Sequence, residues 1–206
     1  QVLQGLVRAH RETGDERYRE AARRAGDWLV AIQEPDGSWR RYTYRDTVHT
    51  YHTRVAWPLY ELHQITGDDR YAAAADRHLT WALQNQRSNG WFENNYIYLR
   101  DAALTHSIAY AIEGFLEAGV LMASDAYVAA ARKASDVLLE RFTATGWLQA
   151  SYDGEWNSSD AYSCLTGNAQ MSIVWWRLFE LTKDRRYAQA AADMNASLRA
   201  TQDTTT

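Results

Sequence analysis

The sequence predicts an all-α protein, specifically an α/α toroid in which helical hairpins form an inner and an outer layer. A Tyr-x-x-Ala-Ala motif recurs four times, and only two of the 206 residues are proline. Apolar residues also recur at helical spacing on both sides of each motif. Proline disrupts helix interiors, so its scarcity suits a helical chain. A repeat of this length indicates stacked supersecondary units rather than an irregular fold.

The repeat divides the chain into about four helical hairpins. Its tyrosines, spaced 53, 56 and 60 residues apart, are Tyr18, Tyr71, Tyr127 and Tyr187. Each follows a short turn with the sequence TGD, SD or TKD, and acidic residues favour the start of a helix. An apolar segment precedes each turn and is the predicted inner helix. The segment after each turn is the predicted outer helix.

The hairpins predict a toroid more strongly than an open solenoid, which remains the alternative. The predicted inner helices are more apolar than the outer ones, and the linking loops are long, aromatic and polar. We expect one domain over residues 1–206. By repeat alignment Gln1 matches Arg54, and the last unit stops where a Gly-Trp loop is expected, so we expect an incomplete toroid, a fragment of a longer one.

Composition excludes several classes of function. The net charge of −4 gives no basic footprint for nucleic acid, and no apolar stretch reaches the length of a membrane span. No signal peptide is visible, which favours a cytoplasmic location. The single cysteine, Cys164, excludes an internal disulfide. The oligomeric state stays open.

One repeat position at the entry of the inner helices is polar in each complete unit. Alignment on the turns places His52, His106 and Asn168 there. In a ring of inner helices these entries converge on one end of the central cavity, where helix N-termini favour an anionic ligand. The alternative interpretation is structural, with Thr105 as a helix cap and Gly167 as a tight turn.

The loops before these entries combine aromatic, acidic and amide side chains, which together suit sugar rings and hydroxyl groups. Carboxylates and histidines supply acid–base chemistry, and arginine holds a carboxylate. The predicted catalytic residues are His52, His106, Asp101, Glu155 and Asp160. The predicted substrate-binding residues are Arg54, Trp91, Asn95, Tyr96, Arg100, Trp156, Asn168 and Gln170. Neither a metal site nor a cofactor is expected.

Several stretches resemble the α/α-toroid carbohydrate enzymes of the six-hairpin glycosidase-like group. They are TGDERYREAA (13–22), TGDDRYAAAA (66–75), TKDRRYAQAA (182–191), LTHSIAYAIEGFLEAG (104–119), LTGNAQ (165–170) and QGLVRAH (4–10). The chain is also similar to helical-repeat proteins associated with bacterial polysaccharide metabolism. The resemblance implies the toroid fold and a carbohydrate ligand. It selects no reaction, and no complete family active-site motif is matched.

These observations predict a carbohydrate-active protein that acts on a bacterial polysaccharide or a uronic-acid-containing oligosaccharide, as a hydrolase, lyase or epimerase. One alternative is a non-catalytic sugar-binding or scaffold module, since the concave face of a helical repeat often binds a partner. Another is a prenyltransferase-like or terpenoid-cyclase-like enzyme, although the chain has no DxDD acidic cluster.

Overall fold

The computed structural model describes residues 1–97 and 102–202. This part of the chain contains eight α-helices and two short strands. The helices are α1 Val2–Thr13, α2 Glu16–Ala31, α3 Thr53–Thr66, α4 Asp69–Gln84, α5 Thr105–Leu121, α6 Asp125–Thr145, α7 Leu165–Thr182 and α8 Arg185–Ala200. The strands β1 (Ala103–Leu104) and β2 (Ser151–Tyr152) pair antiparallel and join two of the linking loops.

The helices form the predicted two layers. Odd-numbered helices pack side by side as the inner layer, and even-numbered helices pack side by side outside them, each against its hairpin partner. This confirms the all-α toroid class. Within residues 1–97 and 102–202 no close packing joins α1 to α7, so the four hairpins form an arc. The expectation that further hairpins complete a longer toroid stays a prediction.

The turns between paired helices are built as the repeated sequence predicts. The aspartates that precede α2, α4 and α8 are N-caps, and each side chain accepts a hydrogen bond from the backbone N–H two residues later. Such a cap satisfies one of the free N–H groups at a helix start. In the first two turns, Gly14 and Gly67 have φ values of 67° and 71°. These left-handed conformations let the inner helix end sharply before the next helix begins.

The repeat tyrosine ties each outer helix to the preceding one. The hydroxyl of Tyr71 donates to Oδ1 of Asp27 at 2.9 Å, and that of Tyr127 donates to Oδ1 of Asp76 at 2.7 Å. Tyr187 donates to Asp136 in the same way. Burial raises the pKa of all three phenols to about 12. In the first repeat, by contrast, Tyr18 is 37% exposed.

The inner helices approach one another through glycines. A Cβ at Gly114 of α5 would lie 2.3 Å from the carbonyl carbon of Thr53, and one at Gly167 of α7 would lie 2.6 Å from the backbone nitrogen of His106. Gly167 lies inside α7, so it is not the tight turn considered in the structural interpretation. Its role is to let α7 contact the first turn of α5.

Candidate active site

A polar stripe runs along α5 on the inner layer. His106, Tyr110, Glu113 and Glu117 are spaced by four, three and four residues. Helical geometry places residues at this spacing on one face. Side chains from the neighbouring inner helices meet this stripe, namely Arg54 from α3 and Gln170 and Arg177 from α7. Three adjacent inner helices therefore contribute to one cluster.

Glu113 is the central titratable group of the cluster. Its Oε2 lies 3.2 Å from Nε of Arg54, and the two side chains are only 13% and 18% exposed. Burial raises the pKa of Glu113, the positive charge of Arg54 opposes that rise, and the negative charge of Glu117 adds to it. The net result is a raised pKa, so Glu113 holds its proton to a higher pH than a free glutamate does. A general acid requires this property.

His106 lies at the start of the stripe and contacts both neighbouring polar groups. Its Nδ1 lies 2.7 Å from Oε1 of Gln170. Its ring centre is 4.3 Å from that of Tyr110. The Arg54 guanidinium carbon lies 5.5 Å from the centre of the Tyr110 ring, which joins the histidine end of the cluster to the Arg54–Glu113 pair. The geometry thus brings an imidazole and an arginine to one phenol, and the arginine in turn pairs with a carboxyl group.

Glu117 forms the other end of the stripe. Its Oε1 lies 2.9 Å from Nε of Arg177, and the two side chains are 20% and 33% exposed. Arg177 also contacts Glu180 at 3.0 Å. This arginine holds a carboxylate one helical turn beyond Glu113. The site therefore contains two acidic side chains in different electrostatic surroundings.

Two predicted binding amides are buried among the linking loops and the start of α7. Asn95 is 1% exposed and Asn168 is 5% exposed. The backbone carbonyl of Asn95 accepts a hydrogen bond from the Ser107 hydroxyl at 2.7 Å, which ties its loop to α5. Among the described residues, the side-chain oxygens of both asparagines have no hydrogen-bond partner. They stay predicted substrate-binding groups.

His52 belongs to a second cluster, formed by the rings of several histidines and a tryptophan. Its ring centre lies 5.4 Å from that of His49 and 6.3 Å from that of His78, and Trp39 packs beside both His52 and His78. Burial lowers the pKa of His52 well below its usual value, and it lowers that of His78 to about 4. His52 and His106 therefore occupy one repeat position but have different neighbours.

The predicted aromatic platforms lie in the core. Trp91 is 4% exposed and Trp156 is 3% exposed, and their rings pack edge to face with centres 5.2 Å apart. Neither ring presents an open face to a sugar. Tyr96 is half-buried, and its hydroxyl lies 3.5 Å from Oδ1 of Asn94.

The predicted acidic residues of the loops have structural partners. Glu155, whose side chain is 74% exposed, pairs with Arg87 at 3.0 Å. Oδ2 of Asp160 accepts a hydrogen bond from the Ser151 hydroxyl at 2.7 Å. Arg100 and Asp101 lie outside the described residues. Of the predicted site residues, Arg54, His106 and Gln170 are the ones that the structure brings into the cluster.

Sequence reasoning missed Tyr110, Glu113, Glu117 and Arg177. A signal for three of them was present, because Tyr110, Glu113 and Glu117 continue from His106 at helical spacing within an otherwise apolar helix. The prediction followed the helix entries and the loops instead. Arg177 had a weaker signal, since its partner on α5 depends on how the two helices are aligned.

Comparison with known proteins identifies the family. The protein-family model described as the β-L-arabinofuranosidase, GH127 catalytic domain matches residues 1–191 of this chain. The chain belongs to this family. Membership of GH127 confirms the six-hairpin glycosidase-like resemblance, and the family is one of carbohydrate-active enzymes.

Solved structures show the same fold as this GH127 member. Cellobiose 2-epimerase from Bacillus thermoamylovorans has a TM-score of 0.80 at 9% identity, with 100% of this chain and 60% of that chain covered. The GH76A α-1,6-mannanase from a Salegentibacter species has a TM-score of 0.73 at 16% identity, with 99% and 60% covered. The unsaturated glucuronyl hydrolase from Bacillus sp. GL1 has a TM-score of 0.71 at 16% identity, with 97% and 72% covered. The chain spans about 60% of the length of the first two.

A shorter match bears on the terpenoid alternative. An ent-copalyl diphosphate synthase from a Streptomyces species is 34% identical over 80 residues, which are 39% of this chain and 15% of the synthase. The GH127 model covers residues 1–191, so the comparisons favour the carbohydrate prediction over the terpenoid and scaffold alternatives.

Two further properties of this GH127 member follow from a search of the described residues. No helix in residues 1–97 and 102–202 is long and apolar enough to cross a membrane. In the same part of the chain, no three histidine, cysteine or acidic side chains are grouped so that they could hold a metal ion.

Proposed function

We propose that this chain carries acid–base residues of a glycoside hydrolase that acts on arabinofuranosides, with Glu113 as the general acid. The observation that carries the proposal is the buried position of Glu113 on the inner layer, where its pKa is raised beside Arg54. The description of the matching family as β-L-arabinofuranosidase supports the substrate class.

The proposed reaction transfers one proton to the departing sugar oxygen. Glu113 donates its proton to the glycosidic oxygen as the bond from that oxygen to the anomeric carbon breaks. Water adds to the anomeric carbon and loses its own proton to His106, the proposed base. Positive charge develops on the sugar ring during this step, and the Glu117 carboxylate held by Arg177 stabilises it.

The arginines of the inner layer favour a neutral sugar over a uronic acid. Arg54 pairs with Glu113, and Arg177 pairs with Glu117. Arg8 and Arg11 both contact Glu61, at 2.7 and 3.0 Å. Each of these positive charges already faces a glutamate of the protein. A substrate carboxylate would have to compete for them, whereas the hydroxyl groups of a neutral arabinofuranoside would not.

A substrate panel tests this proposal. The chain would be incubated with nitrophenyl β-L-arabinofuranoside, neutral nitrophenyl pyranosides, unsaturated uronic-acid oligosaccharides and prenyl diphosphates, with turnover and binding measured for each. Release of nitrophenol from the arabinofuranoside alone is the expected result. Turnover of only the uronic-acid substrates would contradict the neutral-sugar argument. Binding of arabinofuranosides without turnover would favour the sugar-binding module.

A further inference from the structure

Gln170 lies between two titratable groups of α5. Its Oε1 is 2.7 Å from Nδ1 of His106. Its side chain also lowers the pKa of Glu113, against the larger effect of burial. One amide group on α7 therefore contacts the imidazole and acts on the carboxyl group of the neighbouring inner helix.

The chemistry of an amide fixes which end faces which group. The side chain of glutamine has an oxygen that only accepts hydrogen bonds and an NH₂ group that only donates them. The oxygen Oε1 is the end that faces His106, so Nδ1 of that ring must carry a proton to donate to it. The NH₂ group is then the end available to Glu113, whose carboxyl can accept a hydrogen bond whether or not it holds its proton.

From the contact between Gln170 and His106, we propose that Gln170 is a positioning residue. It holds His106 in the tautomer that is protonated at Nδ1. The lone pair is then on Nε2, which makes that nitrogen the proton acceptor. The Tyr110 ring, whose centre is 4.3 Å from that of His106, also packs against the imidazole. The use of Nε2 as the base rests on the proposed hydrolysis, but the tautomer itself does not.

The tautomer can be measured without any substrate. Two-bond ¹H–¹⁵N NMR spectra distinguish an imidazole protonated at Nδ1 from one protonated at Nε2, and the His106→Asn variant assigns the signals. We expect the wild-type protein, at a pH where the ring is neutral, to show the proton on Nδ1. A wild-type ring protonated at Nε2 would overturn the proposal.

Three variants separate the role of the amide from general packing. Gln170→Met keeps the size of the side chain but removes its hydrogen bonds, so the proton is expected to move to Nε2. Gln170→Glu still offers an accepting oxygen and is expected to retain the proton on Nδ1. Ser172→Ala, on the same helix, removes a hydroxyl that donates to the Ala169 carbonyl at 2.8 Å, and is expected to leave the spectrum unchanged.

The Gln170→Met variant can contradict the proposal, and the other spectra still test it if that variant does not fold. A Gln170→Met ring that keeps its proton on Nδ1 would show that the amide does not select the tautomer. If circular dichroism shows that this variant is unfolded, the wild-type and Gln170→Glu spectra decide.

With an active substrate, Gln170→Met should lower kcat about 100-fold with little change in KM, because a base in the wrong tautomer fails only in the proton transfer. Failure of hydrolysis alone would reject the proposed function and leave the tautomer test intact.

Discussion

Nε of Arg54 lies 3.2 Å from Oε2 of Glu113, and this pair joins α3 to α5 at the centre of the inner layer. Both side chains are mostly buried, so neither charge is well solvated. Burial raises the pKa of Glu113, and Arg54 limits the rise. The same arginine therefore stabilises the fold at neutral pH and tunes the proton affinity of the proposed acid.

Replacing Arg54 by methionine should raise the pKa of Glu113 further and destabilise the protein at neutral pH. Above the usual glutamate pKa of 4.5, the unfolded state ionises, whereas the buried carboxyl of the variant cannot do so favourably. We expect a loss of about 2 kcal/mol at pH 7 that shrinks as the pH falls toward 4.5, through the raised pKa values of Glu113 in the two folded proteins. Urea denaturation at several pH values measures it. An equal loss at pH 4 and pH 7 would contradict this account.

The buried histidines should make the fold sensitive to acid. Burial lowers the pKa of His78 to about 4 and that of His52 well below 6.5, so both rings are neutral in the folded protein. Unfolded histidines bind protons below about pH 6.5. Stability is therefore fully present above pH 6.5 and decreases as the pH falls toward 4, by about 1.4 kcal/mol per pH unit for each ring.

Removing one ring tests this dependence. In His78→Phe, the slope of unfolding free energy against pH between 6.5 and 4.5 should be smaller by about 1.4 kcal/mol per pH unit than in the wild-type protein. Chemical denaturation across this range provides the comparison. An unchanged slope would mean that His78 takes up a proton in the folded state.

Replacing the repeat tyrosines by phenylalanine should lower the stability of the protein in the last three repeats but not in the first. Tyr71, Tyr127 and Tyr187 donate to aspartates of the preceding outer helix, so each replacement should cost about 1 kcal/mol. Tyr18→Phe is the matched control. Because Tyr18 is 37% exposed, its replacement should leave the free energy of unfolding nearly unchanged. Thermal denaturation of the four variants gives the ranking. A Tyr18→Phe loss as large as the others would contradict it.

Adding one methyl group to an inner glycine should have opposite effects at two positions. A Cβ at Gly114 would lie 2.3 Å from the Thr53 carbonyl carbon, so Gly114→Ala should destabilise by about 3 kcal/mol or more. At Gly5 in α1, nothing lies within 4 Å of the added Cβ. Gly5→Ala should therefore stabilise by up to about 1 kcal/mol through helix propensity. Calorimetry of both variants checks the sign, and destabilisation by Gly5→Ala would contradict the packing argument.

The fold could be predicted from sequence because its determinants are local and repeated. The turn motif around Asp68 and the helical spacing after Tyr71 each specify a hairpin, and similar motifs recur along the chain. The contact between Tyr71 and Asp27 could not be predicted in the same way, since it depends on how one hairpin packs against the next.

The candidate site was only partly predictable for the same reason. Arg54, His106 and Gln170 lie near the helix entries that the repeat alignment singled out. Glu113 lies two turns further along α5, and its importance comes from burial and from Arg54, which are tertiary effects. Trp91 and Trp156 show the opposite case, because their positions in the loops suggested exposure but the two rings pack on each other in the core.

The most direct test of the central claim is the kcat of Glu113→Gln on methyl β-L-arabinofuranoside, whose alkoxide leaving group needs a proton from the general acid. Glutamine keeps the shape of the side chain but cannot donate the proton, so kcat should fall by about 10²- to 10⁴-fold with little change in KM. Glu140→Gln, an exposed position on outer helix α6, is the control and should keep wild-type kcat. Wild-type kcat in Glu113→Gln would contradict the assignment of Glu113 as the general acid.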